Sequence, residues 1–469
     1  MSWGAVYVAG EWIIRIAALV YVPQRRAPSA ARAWLLLIFF LPYVGVVLYA
    51  LVGRAFLPRR RMEMQAQIGA AIGKVLPGPA SARAVAGPLA PAGELAARIS
   101  EFGVVEGNRF ELLPAYDAAL DRLVADIDGA TRFVHLLYYI FEDDQAGARV
   151  SAALARAAGR GVTVRVLMDA IGSRGGLRGL APGLRGAGVE VTAVLPLRMW
   201  GPNRARFDLR NHRKIAVVDG GVAFFGSQNV VSAQANAGLT NEEMMVRATG
   251  PVVRQLDALF VADRYLETGD VPPESHAGGA DPEPAISGAA AQVLPSGPGY
   301  NAGTTEDVMI AMMYAARRRV VLTTPYFVPS DPFALAMRSA ARRGVEVLLI
   351  VDRTSNKPLV QLAQQSFYDD LLAAGVHIHA YHGNFLHAKH MSVDDDMVLI
   401  GSSNLDIRSF ALNAEVSVLV YDRGVARDLR HVQDRYLEKC ETVDPRIWAS
   451  RGGGRRLLEN LARLADAVL

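Results

Sequence analysis

The longest uninterrupted apolar stretch in the chain runs from Ala33 to Val52, twenty residues without a charged side chain. That is the length a helix needs to cross a hydrocarbon layer about 30 Å thick. Pro42 and Gly45 lie inside it and predict a kink, which membrane helices tolerate. An earlier stretch, Val6 to Val22, is apolar apart from Glu11 and Arg15. These two are four residues apart, share a helix face and can pair. Residues 1–55 therefore read as an anchor of two transmembrane helices, with an interfacial helix as the alternative for the first. A signal peptide fits poorly, because no basic segment precedes the apolar core and no cleavage site follows it. Residues 56–104 are rich in Ala, Gly and Pro and read as a connector with helical pieces.

From residue 105 the pattern changes, and it does so twice over. An apolar strand, an Ala-rich helix, a Gly-Val strand and a strand pair follow one another: Phe133–Phe141, Ala146–Gly159, Val162–Asp169 and Ile215–Phe225, then Val320–Phe327, Pro332–Arg343, Val345–Val351 and Met391–Ile400. Alternating strands and helices predict an α/β fold, two similar lobes with mixed sheets flanked by helices. The lobes are expected at 105–268 and 291–469, joined by a Pro-, Gly- and Ala-rich linker at 269–290. At the end of the chain, Leu457, Leu461, Leu464 and Val468 share one face of an amphipathic helix with Arg455, Arg456 and Arg463 nearby. Such a helix either lies on a membrane or packs on the catalytic body.

Composition sharpens this only modestly. Hydrophobic residues make up 51% of 469 and mean hydropathy is +0.17, high for a soluble enzyme. Net charge is +4, which suits an anionic lipid surface and does not suit the strongly basic groove of a nucleic-acid binder. The single cysteine, Cys440, excludes a disulfide within the chain. Arginines flank both apolar stretches (Arg25, Arg26 and Arg32; Arg54, Arg59, Arg60 and Arg61), so the positive-inside rule leans only slightly towards a cytoplasmic catalytic region.

The chemistry lies in a repeated polar pattern. His212-Arg-Lys214, Asp219 and Gly226-Ser227-Gln-Asn229 recur, at identical offsets, as His387-Ala-Lys389, Asp394 and Gly401-Ser402-Ser-Asn404. Only five lysines exist, and two of them occupy the motifs. Two imidazoles with ammonium, amide and hydroxyl donors fit phosphoryl transfer. One His attacks phosphorus, the other serves as acid and then base, and the donors stabilise the charged transition state. No metal or other cofactor is expected. His377, His379, His382 and His390 crowd the second motif without an acidic partner and read as half-exposed strand residues. One copy of the motif carries half the groups, so the lobes must face each other across a single site. Glu243 (with Glu242 as rival) and Glu415 are candidates to orient the opposite histidine by accepting its second N–H. Tyr138, Tyr139, Tyr326 and Phe327 end strands near the seam, where they line the channel into the site or pack in the core. The motif aspartates, Asp219 and Asp394, have a turn-stabilising reading at least as strong as a catalytic one.

The repeated motif resembles the HKD signature of the phospholipase D superfamily. The surrounding text resembles one branch, the bacterial cardiolipin synthases. It does so at Tyr138-Tyr-Ile-Phe-Glu-Asp-Asp144, Gly161-Val-Thr-Val-Arg-Val-Leu-Met-Asp169, Leu294-Pro-Ser-Gly-Pro298, Thr324-Pro-Tyr-Phe-Val-Pro329 and Asn404-Leu-Asp-Ile-Arg-Ser-Phe410, as well as around both motifs. The resemblance implies a pseudo-twofold arrangement in a bacterial inner-membrane enzyme. It implies His212 as nucleophile and His387 as acid and base, with Lys214, Lys389, Asn229 and Asn404 holding phosphate oxygens, helped by Ser227 and Ser402. It implies phosphatidylglycerol as substrate, with cardiolipin and glycerol as products. A phospholipase D-type hydrolase or transferase using another head group is the alternative, and a membrane-anchored nuclease a more distant one.

Overall fold

The computed structural model describes residues 3–26, 28–53, 57–76, 87, 89–196, 208–234, 238–272, 288–300 and 304–464. The first lobe contributes β1 (Val105–Leu113), β2 (Phe133–Tyr138), β3 (Thr163–Asp169), β4 (Glu190–Val194), β5 (Lys214–Val218), β6 (Val222–Gly226), the two-residue β7 (Asn241–Glu242) and β8 (Met245–Thr249). The second contributes β9 (Ala289–Ser296), β10 (Arg319–Thr324), β11 (Phe327–Val328), β12 (Glu346–Asp352), β13 (His377–Tyr381), β14 (Phe385–Leu386), β15 (His390–Val393), β16 (Met397–Gly401), β17 (Leu405–Asp406), β18 (Glu415–Tyr421) and β19 (Cys440–Thr442).

Fifteen of these strands form one sheet in the order β19-β13-β12-β10-β15-β16-β18-β9-β1-β8-β6-β5-β2-β3-β4. Read outward from the β9–β1 junction, the first seven strands of the two halves have the same order, and β19 is an extra edge strand on the second half. The junction is itself a pair of antiparallel strands, with Val105 opposite Ala291. Within each half β2-β3-β4 and β10-β12-β13 are parallel, while the motif strands β5 and β15 return antiparallel to β2 and β10. The parallel steps need helical crossovers, and Gln145–Gly159 and Asp331–Arg342 supply them. Both begin on a capping side chain, Asp144 accepting from Gly147 N–H and Ser330 from Phe333 N–H.

The near-continuous apolar strands are explained by cover on both faces. On one face, Leu137, Ile215 and Val217 pack with Leu256 and Phe260 of the helix Val252–Thr268 and with Leu429 of the helix Arg423–Leu437. On the other, Val134 and Leu136 pack with Leu123 and Val150 in the first lobe, and Val320 and Leu322 pack with Met309 and Met337 in the second. Two expected strands are shorter than the apolar runs suggested. β2 stops at Tyr138, and the run Val320–Phe327 divides into β10 and β11 around Pro325, which has no N–H for a ladder. The connector contains two helices among its described residues. Arg59–Val75 packs on Val252–Thr268, with Arg61 2.7 Å from Glu267, and Ala90–Ile99 packs on the helix Thr304–Ala315. The central part of the expected linker, residues 273–287, and Val468 lie outside the described residues.

The anchor differs from expectation in one respect. The helix Trp3–Tyr21 is long and apolar enough to span, and Glu11 and Arg15 do pair, at 3.2 Å. The second apolar stretch is not one helix. It breaks at Leu41 into Pro28–Phe40 and Pro42–Val52, because Pro42 lacks an N–H and turns the residue before it out of the helical region. The two pieces fold back on each other. The rings of Trp34 and Tyr49 are 5.3 Å apart, whereas one continuous helix would hold those residues about 22 Å apart. Gly45 permits the close approach, since a Cβ there would lie 2.8 Å from Ile38 Cα. Thirteen residues of helix reach about 20 Å, short of a hydrocarbon core of about 30 Å. The stretch expected to be a second spanning helix is thus a hairpin packed beside the first.

Candidate active site

Each motif histidine lies where its lobe bonds to the other. His212 precedes β5, and its N–H donates to Ala414 O at 2.8 Å, while Ala414 N–H donates to Arg210 O at 2.9 Å. His387 follows β14, which pairs in parallel with β7; its N–H donates to Glu242 O at 2.8 Å. These short bridges set the register across the seam, and the next residue on the opposite strand is a glutamate in both cases. His212 Nδ1 is 3.0 Å from both carboxylate oxygens of Glu415, and His387 Nδ1 is 2.7 Å from Glu243. The pairs are crossed: each lobe's carboxylate meets the other lobe's imidazole. Glu242 turns the other way, to Tyr381, Asn384 and Lys439.

The rest of the motif has a structural logic. Ser227 and Ser402, expected among the phosphate contacts, instead hold the glutamates, each Oγ donating at 2.5 Å to Glu243 or Glu415. Both hydroxyls are fully buried behind the carboxylates. The preceding glycines are required by close packing, since a Cβ on Gly226 or Gly401 would meet Met244 O or Val416 O at 2.2 Å. Asp219 and Asp394 take the turn-stabilising role. Asp219 sits at a positive φ of 54° and accepts the N–H groups of Thr131, Arg132 and Phe133; Asp394, at the same φ, accepts those of Arg317, Arg318 and Arg319. Neither lines the cavity between the histidines.

That cavity, of 730 Å³, is lined by His212, His387, Asn229, Asn404, Glu243, Tyr139 and Tyr326. Of the four aromatic candidates, Tyr139 and Tyr326 face it, while Tyr138 and Phe327 are core residues. Lys214 and Lys389 are buried, and each ammonium donates to the carbonyl of its own motif's histidine, Lys214 at 2.6 Å. Burial and the crowd of cations hold His212 well below the usual imidazole value. His387 is pushed down to about 4 by burial, against the pull of Glu243. Burial also brings Lys214 down to about 8 and Lys389 to about 7. Glu415 is pushed up to about 7 by burial. Glu243 is equally buried, but His387 and Lys389 outweigh that and keep it below the ordinary range.

Several contributors were not foreseen. Asp169 and Asp352 end β3 and β12 and accept the N–H of the residue before each histidine, Asn211 at 3.0 Å and Leu386 at 2.8 Å. Arg213, between the first motif's His and Lys, is fully buried against Asp263 and donates to Glu415 O at 3.0 Å. Arg210, Lys357 and Arg408 add cations to the cavity wall. The available signals were slight: an acid closing an apolar strand, and an arginine within the stretch after Asn404. Of the histidines near the second motif, His390 is buried against Tyr436 rather than half-exposed. Among the described residues no cluster of three or more His, Cys, Asp or Glu is arranged to hold a metal.

A family model described as "Cardiolipin synthase, PLD-like domain" matches residues 123–264 and 309–437, one segment in each lobe. The chain belongs to the cardiolipin synthase family. A second model, for the Phospholipase D-nuclease N-terminal region, matches residues 13–54, so the likeness extends into the anchor. Cardiolipin synthase A of Edwardsiella ictaluri (strain 93-146) is 34% identical over 474 residues, covering 98% of this chain and 97% of that one. Cardiolipin synthase A of Yersinia pseudotuberculosis serotype O:3 (strain YPIII) is 35% identical over 477 residues with the same coverage. Among solved structures, phosphatidylserine synthase from Haemophilus influenzae Rd KW20 shares the fold, with a TM-score of 0.59 at 14% identity over 77% of this chain and 95% of that one. As a member of the cardiolipin synthase family the chain is a phosphatidyltransferase.

Proposed function

We propose that the chain makes cardiolipin from two molecules of phosphatidylglycerol through a phosphohistidine. The observation that carries this reading is the crossed pair of His–carboxylate contacts in one cavity. His212 Nε2 attacks the phosphorus of the first lipid. The bond from phosphorus to the glycerol head group breaks, and His387 gives the leaving oxygen its proton. His387 then takes the proton from a hydroxyl of a second phosphatidylglycerol, whose oxygen attacks phosphorus as the His212–phosphorus bond breaks. One cardiolipin and one glycerol result. Lys214, Lys389, Asn229 and Asn404 hold the non-bridging oxygens as charge develops on them.

Electrostatics supports this division of roles. A nucleophilic imidazole must be neutral, and burial with the neighbouring cations keeps His212 so. His387 faces the carboxylate kept ionised, so it is the ring that holds a proton more readily. The folded-back hairpin also bears on sidedness. With one crossing, by Trp3–Tyr21, Arg25, Arg26, Arg32 and Arg59–Arg61 all fall on the side of the catalytic body, which the positive-inside rule makes cytoplasmic. The enzyme then sits in the inner membrane with its N-terminus outside. Labelled phosphatidylglycerol in mixed micelles tests the reaction. Cardiolipin and glycerol in equal amounts are expected; phosphatidic acid alone would make the enzyme a hydrolase. A periplasm-active reporter fused before Trp3 tests the topology, and silence there with signal from a cytoplasmic reporter would refute the single crossing.

A further inference from the structure

The C-terminal helix Gly453–Arg463 is turned inside out for a soluble surface. Its leucines, Leu457, Leu458 and Leu461, with Leu464 just beyond, are 52–73% exposed. Its one acid and its last arginine face the protein, while Arg455, Arg456 and Asn460 are exposed beside the leucines. Glu459 is fully buried between Arg451 at 2.9 Å and Arg455 at 3.2 Å; Arg451 continues to Asp369 at 2.7 Å, and Arg463 reaches Asp331 at 3.4 Å. A helix on a water-facing surface buries its apolar stripe and presents its charges. Here the ion-pair network is the adhesive and the leucines are left outside.

We infer that this helix is a second membrane contact, lying in the interface of an anionic bilayer with its leucines among the acyl chains. Three observations commit the surface to lipid rather than to a protein partner. The exposed side combines leucines with Arg456 and carries no acid, since Glu459, the helix's one acidic residue, is buried; that is the composition of a helix that binds anionic lipid surfaces. The chain already carries a spanning-length helix at its other end, so a bilayer is adjacent. The helix also packs on Pro358–Gln365, whose Val360 lines the reaction cavity and whose Leu359 is exposed. The apolar patch therefore lies beside the cavity that receives substrate, and docking it tethers that side of the body to the membrane. The contact itself does not depend on which lipid reaction the site performs.

The full chain with Cys440→Ser and Leu461→Cys, carrying a fluorophore at 461, is reconstituted into vesicles of phosphatidylglycerol and phosphatidylcholine. Quenching by spin-labelled acyl chains together with protection from aqueous iodide is expected. A label reached by iodide and untouched by the lipid quencher would overturn the inference, whatever else covers the helix. Leu457→Glu with Leu461→Glu leaves the ion-pair network in place. It should lower cardiolipin formation in vesicles about tenfold, the scale of a lost interfacial contact, and leave turnover in detergent micelles alone. Unchanged turnover in vesicles, or an equal loss in micelles, would also overturn it. Quenching reports docking even if the product is not cardiolipin, so failure of the docking and failure of the proposed reaction are separable.

Discussion

In the first lobe the residue between the motif His and Lys is Arg213; in the second it is Ala388. Two residues before the histidines stand Arg210 and Phe385, and four residues after the motif asparagines stand Ala233 and Arg408. What fixes the position of the site is shared: the order of seven strands, the cross-seam bridges, the crossed glutamates, the serines behind them and the strand-end aspartates before each histidine. What differs is charge. Arg213 and Asp263 form a buried pair bonded to the backbone of Glu415, and nothing of the kind stands at Ala388. Glu415 is pushed up to about 7, whereas Glu243 is held low. A duplicated scaffold thus supplies geometry twice, and the substitutions laid on it give two similar imidazoles different electrostatic surroundings.

The largest test of that division is removal of each imidazole. His212→Ala and His387→Ala should each lower turnover on the order of 10⁶-fold, as loss of a nucleophile or its proton partner does elsewhere. They should differ in what they trap. With a donor whose leaving group needs no proton, His387→Ala should accumulate phosphoryl label on His212 and His212→Ala should accumulate none. Label on His387 instead would reverse the roles. Next come the carboxylates. Glu243→Gln and Glu415→Gln should each cost about 10²- to 10⁴-fold, with different pH dependence. Below pH 7 the wild-type Glu415 is largely protonated, so glutamine imitates it and the loss is small; above pH 7 the carboxylate ionises and the loss grows. Glu243 is ionised throughout, so its loss should be flat from pH 6 to 8. Parallel profiles would mean that the two carboxylates are equivalent.

These distinctions bear on what the chain discloses by itself. The identical offsets of the two motifs are enough to place both histidines, lysines and asparagines in one seam, because a half-site has no use alone. The choice of Glu243 over Glu242 is not legible, since it turns on the register of a two-residue bridge, and a slip of one residue exchanges their faces. The serines look like phosphate donors because hydroxyls suit that task; their burial behind the glutamates is a tertiary fact. Asp169 and Asp352 close apolar strands as many turn residues do, and only the chain returning 42 and 34 residues away gives them a role. In the anchor, uncharged length is compatible with a span or a hairpin. Pro42 and Gly45 signalled a bend, and the Trp34–Tyr49 contact shows how far it goes.

The buried pair offers a smaller effect and a cleaner separation of stability from chemistry. Asp263→Ala leaves Arg213 charged and enclosed, which should cost about 3–5 kcal/mol of stability. Ala388→Gly, at the matching place, removes one methyl and should cost far less. Equal losses in thermal denaturation of the two variants would remove the asymmetry from that pair.

The smallest expected effect concerns the lysines, both of which burial pulls well below the ordinary value. Both ammonium groups must be protonated to meet a phosphate. Burial brings Lys389 down to about 7 and Lys214 to about 8, so each loses its charge as pH rises through that value. The lysines should therefore add to the alkaline fall of kcat/KM, which reports the free enzyme, a further loss near pH 7 to 8 beyond that set by the proton on His387, rather than near the ordinary lysine value of about 10.4. Bound phosphate favours the charged forms, so the limb of kcat should lie at higher pH than that of kcat/KM. Lys389→Arg keeps a cation that does not titrate in this range. It should lower the rate because a planar fork replaces a point charge, yet remove its share of that further loss. An alkaline fall unchanged by Lys389→Arg would mean that this ammonium keeps its proton through that range.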